Sequence, residues 1–151
     1  MSGSKIPVSV LVVIYTPDLQ VLLLERADHP GYWQSVTGSQ DPGETLEQTA
    51  IREVMEETGI DAPRYSLTDW KTSSTYEIYQ EWRHRYAAGV TYNTEHVFGL
   101  LVPYPVPVTL SPREHLRYAW VPHQAAAKQV FSPSNAKAIE RLNNFPGPIL
   151  E

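Results

Sequence analysis

The chain contains no cysteine, which rules out a disulfide framework and any thiolate metal site and leaves oxygen and nitrogen ligands as the only means of holding a metal. It is short of positive charge. Twelve Lys and Arg stand against seventeen Asp and Glu, a net charge of −5, so broad binding to a nucleic-acid backbone is not expected. Phosphate chemistry is still open to an acidic protein, because a cation held by carboxylates supplies positive charge locally. Long apolar runs are also missing. The longest, Val8–Tyr15, is far below spanning length, and the polar residues before it carry no export signal. The composition predicts a cytoplasmic protein that neither enters a membrane nor binds a nucleic-acid polymer, and it leaves the oligomeric state open.

A length of 151 residues with 42% hydrophobic content predicts one packed domain over residues 1–151. Four Trp, nine Tyr and three Phe exceed what a minimal core requires and suggest an aromatic-lined pocket for a flat ring.

Val8–Tyr15 is β-branched and nearly continuously apolar, the pattern of a central strand buried on both faces. A turn over residues 16–20 leads into a second strand from Val21 that ends at Glu25 and Arg26, and the two are expected to form a hairpin. Asp41-Pro42-Gly43 is a turn. Thr45 with Gln48 three residues on makes a capping box, and Gly59 follows a run of good helix formers, which predicts a helix over Leu46–Thr58. Residues 66–80, 92–102 and 117–121 read as strands. Pro103, Pro105, Pro107 and Pro112 mark a loop. Ser132 and Pro133 start a closing helix with Ala136, Ile139 and Leu142 at helical spacing, and Pro146-Gly147-Pro148 predicts a frayed tail.

Within the first helix Glu53, Glu56 and Glu57 are spaced i, i+3 and i+4, which gathers them within an arc of about 100°. Like charges at this spacing repel by roughly 0.2–0.5 kcal/mol per pair, and a hard cation would relieve that. Mg²⁺ binds through one or two carboxylates together with substrate phosphates, the arrangement of a site that hydrolyses a phosphoanhydride. Spacing alone fits a solvated helix face equally well.

The wider pattern decides between them. Gly38, Glu44, Arg52-Glu53-Val54, Glu56-Glu57 and Gly59-Ile60 fill every fixed position of a glycine, five residues, a glutamate, seven residues, then Arg-Glu-aliphatic-any-Glu-Glu-any-Gly-aliphatic. Such a match arises by chance on the order of once in ten million chains. Over residues 38–60 the chain resembles the box of the Nudix hydrolases. The resemblance implies an α/β fold, an α/β/α sandwich around a mixed sheet in which the box forms a loop, helix and loop. It implies Glu53 and Glu57 as principal metal ligands, Glu56 as a further one, and Arg52 orienting a carboxylate such as Glu44. The cofactor implied is Mg²⁺, with Mn²⁺ as an alternative.

Four further stretches, residues 33–39, 83–91, 113–120 and 132–135, resemble the bacterial branch of the family that acts on dihydroneopterin triphosphate, a small-molecule triphosphate. By that resemblance Glu114 is a metal ligand or the base for water, delivered by a loop. Lys5, Arg26, Thr37, Ser132 and the stretch Tyr76-Glu77-Ile78-Tyr79 are expected to contact substrate. Lys5 and Arg26 suit phosphates, Glu77 suits ring N–H or amino groups, and Tyr76, Tyr79 and Trp33 could stack on a ring, although aromatics in strands more often belong to the core. His84 is placed outside the site, since no second His stands at a metal-site spacing. Two alternatives stay open: a pyrophosphohydrolase of dATP or oxidised purine triphosphates, and a Nudix module that binds without hydrolysis.

Overall fold

The computed structural model describes residues 4–144; the expected tail at Pro146-Gly147-Pro148 lies outside them. Seven strands form one mixed sheet: β1 (Val8–Tyr15), β2 (Gln20–Arg26), β3 (Trp33–Gln34), β4 (Val36–Ser39), β5 (Ser66–Glu77), β6 (Tyr92–Leu101) and β7 (His115–Pro122). Three α-helices accompany it: α1 (Leu46–Thr58), α2 (His123–Gln129) and α3 (Pro133–Glu140).

β1 is central, and its unbroken apolar run follows from being covered on both faces. Val10, Val12 and Ile14 pack with Leu22, Leu24, Ala50, Val54, Phe98 and Leu100 on the α1 side. Leu11 and Val13 pack with Val21, Leu23, Val97, Ala126, Ala138 and Ile139 on the α2 and α3 side. This period-2 sorting makes the α/β/α sandwich that the sequence implied. β6 runs parallel to β1 over the whole of its length, from Val8↔Thr94 to Tyr15↔Leu101.

The expected hairpin is only partly formed. The turn is there, closed by Thr16 N–H to the Gln20 carbonyl and by the Thr16 hydroxyl on Asp18. Yet β1 and β2 pair at one position, Tyr15↔Val21. Beyond it β2 takes β7 along one edge and β3 at Leu24 and Glu25 on the other, while β1 takes β4 over Ser9–Ser39 to Val12–Val36 pairs. The short β3–β4 segment therefore bridges two diverging strands. At two and four residues these strands were too short to be legible by pattern. The helix α2 was also unforeseen, and β5 ends at Glu77, before the 3₁₀ turn Gln80–Arg85.

α1 is built as its sequence predicted. The Thr45 hydroxyl accepts the Gln48 N–H at 3.1 Å, the Gln48 side chain accepts the Thr45 N–H at 2.9 Å, and Gly59 closes the helix at φ 74°. Gly59 takes that left-handed conformation without a Cβ penalty. Thr45→Ala removes the cap and is expected to lower stability by about 1 kcal/mol. Urea unfolding checks this, and an unchanged midpoint would show that tertiary packing alone fixes the helix start.

Candidate active site

The buried face of α1 carries two carboxylates among its apolar residues. Glu53 is 8% and Glu57 2% exposed, one turn apart, and they interact side chain to side chain. Burial pushes both up from the ordinary carboxylate value, Glu57 well above it, and for Glu57 the Glu53 charge and then the Glu114 charge add to the effect. Glu57 Oε1 is fully buried and has no hydrogen-bond partner, a costly state for an acceptor oxygen.

Gly38 on β4 explains how Glu53 is accommodated. A Cβ built at this position would overlap the Glu53 carboxyl group, so the carboxylate lies directly against the glycine backbone. Arg52 braces the helix from its other side. Its guanidinium makes two bonds to Glu44, Nε to Oε2 at 2.7 Å and Nη2 to Oε1 at 3.0 Å. It also donates to the Ser39 carbonyl at 2.9 Å and to Glu53 Oε2 at 3.0 Å. That bidentate contact, with the Asp41 N–H and the Thr49 hydroxyl, pulls Glu44 down to about 2. Arg52 thus ties the box loop, β4 and α1 together through a rigid fork.

Glu53 and Glu57 fit a hard divalent cation: the donors are carboxylate oxygens, one is an orphan, and like charges lie side by side. Among the described residues no three Asp, Glu or His side chains converge into a complete cage. The four expected ligands are distributed accordingly. Glu53 and Glu57 form the pair. Glu56 is half-exposed and accepts from Arg52 Nη1 at 3.3 Å. Glu114 is exposed in the turn before β7, near enough to Glu57 for its charge to be felt there. His115, next along, is 4% exposed and stands 3.9 Å from Glu57 Oε1. Burial and then the Arg26 charge bring it down to about 4, so it is neutral at physiological pH and this contact is not an ion pair.

Glu57 and Glu114 open onto a cavity of about 590 Å³, the size of a nucleotide-like ligand. Lys5, Arg26, Thr37, Tyr76, Glu77, Ile78, Tyr79 and Ser132, drawn from five separate stretches of the chain, all line it. Near the glutamates Lys5 is shifted below its ordinary value, by desolvation first and then by Arg85. Arg26 is held on Asp28 by two 2.7 Å bonds, donates to Gln34 at 2.9 Å, and stacks 4.4 Å from the Trp82 ring. Its position is fixed, and most of its donors are already engaged.

The structure sorts the candidates for the ring pocket. Trp33 does not line the cavity; it packs on the α2–α3 core with Arg117 5.5 Å over its ring. The aromatic wall is instead Tyr79 stacked on Trp82, 5.2 Å between centroids, with Phe131 edge-on to both. Glu77 is at the rim, its side chain 63% exposed and bonded to Arg83 at 2.6 Å. A buried carboxylate on the same side of the cavity as Asn93 is Glu95, 4% exposed. Glu95, Asn93, Trp82 and Phe131 were missed by sequence reasoning. The available signal was in β6, where Asn93, Glu95 and Val97 alternate and so share one buried face. His84 is exposed and outside the cavity, as expected.

A fold of this topology, with a glutamate helix folded against a glycine strand over a nucleotide-sized cavity, defines a hydrolase class. The chain belongs to the Nudix family: the model of the NUDIX domain matches residues 5–142. It is 49% identical over 141 residues to the dihydroneopterin triphosphate diphosphatase of Escherichia coli K12, covering 91% of this chain and 93% of that one. It is 43% identical over 136 residues to the Haemophilus influenzae enzyme of the same name, covering 88% and 85%. The solved structure of the E. coli dihydroneopterin triphosphate pyrophosphohydrolase superposes with a TM-score of 0.86 at 48% identity, over 91% of this chain and 95% of that chain. Members of the family use a divalent metal.

Gly38→Ala should force the Glu53 carboxylate away from β4. The expected result is a folded protein with kcat lower by about 10²-fold, the scale of a displacement of about 1 Å at a reacting centre. Circular dichroism with steady-state kinetics checks it; full activity would mean that the Glu53 position is not critical.

Proposed function

We propose that this protein hydrolyses dihydroneopterin triphosphate to dihydroneopterin monophosphate and pyrophosphate, with Mg²⁺ as its cation. The observation that carries the reading is that Glu57, paired with Glu53 on α1, lines the same cavity as an aromatic wall and the buried Glu95 carboxylate, so a polyphosphate and a ring would share one cavity. The long, even similarity to two enzymes of that activity supports it.

The reaction adds water across a phosphoanhydride: oxygen bonds to phosphorus, and pyrophosphate departs with the electron pair of the broken P–O bond. A bound divalent cation neutralises charge on the phosphoryl oxygens and lowers the pKa of water. Glu53 and Glu57 are the residues that would hold it, with phosphate oxygens completing the set. Lys5 places an ammonium at the cavity mouth, where it complements the triphosphate charge. Glu114, whose charge is felt at Glu57 and which lines the same cavity, would accept the proton of the attacking water. Arg52 touches no substrate; it positions Glu53 through direct contact and the loop through Glu44. Tyr79 and Trp82 offer faces on which a bicyclic ring stacks. Nothing in the geometry favours the non-hydrolytic module, since every carboxylate of the box is present and Glu57 lines the cavity.

Two measurements test this. Pyrophosphate release with Mg²⁺ is followed for dihydroneopterin triphosphate beside dATP and 8-oxo-dGTP; the highest kcat/KM is expected for the pterin, and a higher value for either purine would reassign the substrate. Glu57→Gln is expected to fold normally and lose at least about 10³-fold in kcat, the scale of a lost electrostatic stabiliser. Near-normal turnover would remove Glu57 from the metal site.

A further inference from the structure

The wall of the cavity formed by β1 and β6 has an unusual hydrogen-bond balance. The β1–β6 register sets Ser9 beside Glu95, and Asn93 and Glu95 project on one side of β6, all buried. The Asn93 amide and the Ser134 hydroxyl donate within the protein. Asn93 Nδ2 donates to the Ser9 hydroxyl at 2.8 Å and to the Tyr76 hydroxyl at 3.1 Å. The Ser134 hydroxyl, at the start of α3, donates to Glu95 Oε1 at 2.9 Å. Two acceptors are left under-satisfied: Asn93 Oδ1 is fully buried with no partner, and Ser134 is the one hydrogen-bond partner of the Glu95 carboxylate among the described residues. A cavity that is lined by unmatched acceptors asks for a ligand edge that is rich in donors.

We propose that Glu95, supported by Asn93, sets ring specificity by accepting two parallel hydrogen bonds from a ring N–H and its neighbouring exocyclic amino group. That pair is the edge of a 2-amino-4-oxo pyrimidine, present in pterins and in guanine. Adenine offers one amino donor beside a ring nitrogen acceptor, which meets a carboxylate oxygen lone pair to lone pair. The inference rests on the reading of this cavity as the pterin triphosphate site, and extends it from the phosphate chemistry to the residue that selects the ring. Burial shifts the Glu95 carboxyl upward, and two ring donors are what its charged form lacks.

Glu95→Gln keeps the shape of the side chain and turns one acceptor oxygen into a donor, the pattern that pairs with adenine. Steady-state kinetics with Mg²⁺ on the wild type and E95Q, using dihydroneopterin triphosphate, dGTP and dATP, test the assignment. For the first two substrates E95Q is expected to lose on the order of 100-fold in kcat/KM, mostly through KM, the scale of a bidentate contact. For dATP the value should hold or rise. Equal losses on all three substrates, or an unchanged preference, would overturn the proposal. A wild type that leaves the pterin untouched, yet prefers dGTP over dATP with that preference reversed in E95Q, would sink the pterin reading while upholding the role of Glu95. Should E95Q fail to fold, Ser134→Ala loosens the same carboxylate from outside the reacting end. A several-fold shift of preference toward dATP then supports the assignment, and an unshifted preference overturns it.

Discussion

Two carboxylates buried side by side on one helix are the constraint around which the rest of this protein is arranged. Glu53 and Glu57 are withdrawn from water and repel each other when ionised, a placement that is unfavourable by itself and that a bound divalent cation would relieve. The helix that holds them is accordingly secured at every other point. Its start is capped reciprocally by Thr45 and Gln48, its end by Gly59, its apolar side by Ala50 and Val54 in the core, and its outer side by Arg52 forked onto Glu44. Gly38 contributes by having no side chain, which lets the strand approach the Glu53 carboxylate.

The sheet supplies the second half of the site through its divergence. Because β1 and β2 meet at Tyr15↔Val21 and then take different partners, the β3–β4 segment enters between them and brings Gly38 and Thr37 to the glutamates. The apolar face that packs under α3 at Leu11, Val13 and Val97 gives way to Ser9, Asn93 and Glu95 along the same strands. A polar cavity wall thus arises by exchanging apolar for polar residues on a core face, on strands paired in parallel register.

How much of this was legible follows from the length scale of each feature. β1, β2 and α1 were readable because an apolar run, a capping box and a terminal glycine are local. The paired glutamates were readable because helical spacing is local too. The cavity-lining role of Lys5, Arg26, Tyr76 and Ser132 came through resemblance, and the structure collects them in one cavity. What escaped depended on pairing between distant segments. Trp33, a candidate for stacking for which core packing was the commoner alternative, packs against the core, since β3 pairs with the end of β2. Trp82 and Phe131 were overlooked because a 3₁₀ turn and a link between helices bring them together across 49 residues of sequence. Glu77 drew attention as the acid within an aromatic stretch, while Glu95, two strands' length away, became the buried one through its pairing with β1.

The central claim is that the Glu53–Glu57 pair is a site of stored repulsion that a divalent cation relieves. Thermal unfolding with increasing Mg²⁺, compared between the wild type and Glu57→Gln, tests it most directly and without reference to turnover. The expected result is a wild-type Tm that climbs with Mg²⁺, and a variant that starts at an equal or higher Tm without the cation and does not respond to it. A variant that is stabilised by Mg²⁺ as much as the wild type, or a wild type that does not respond, would contradict the account.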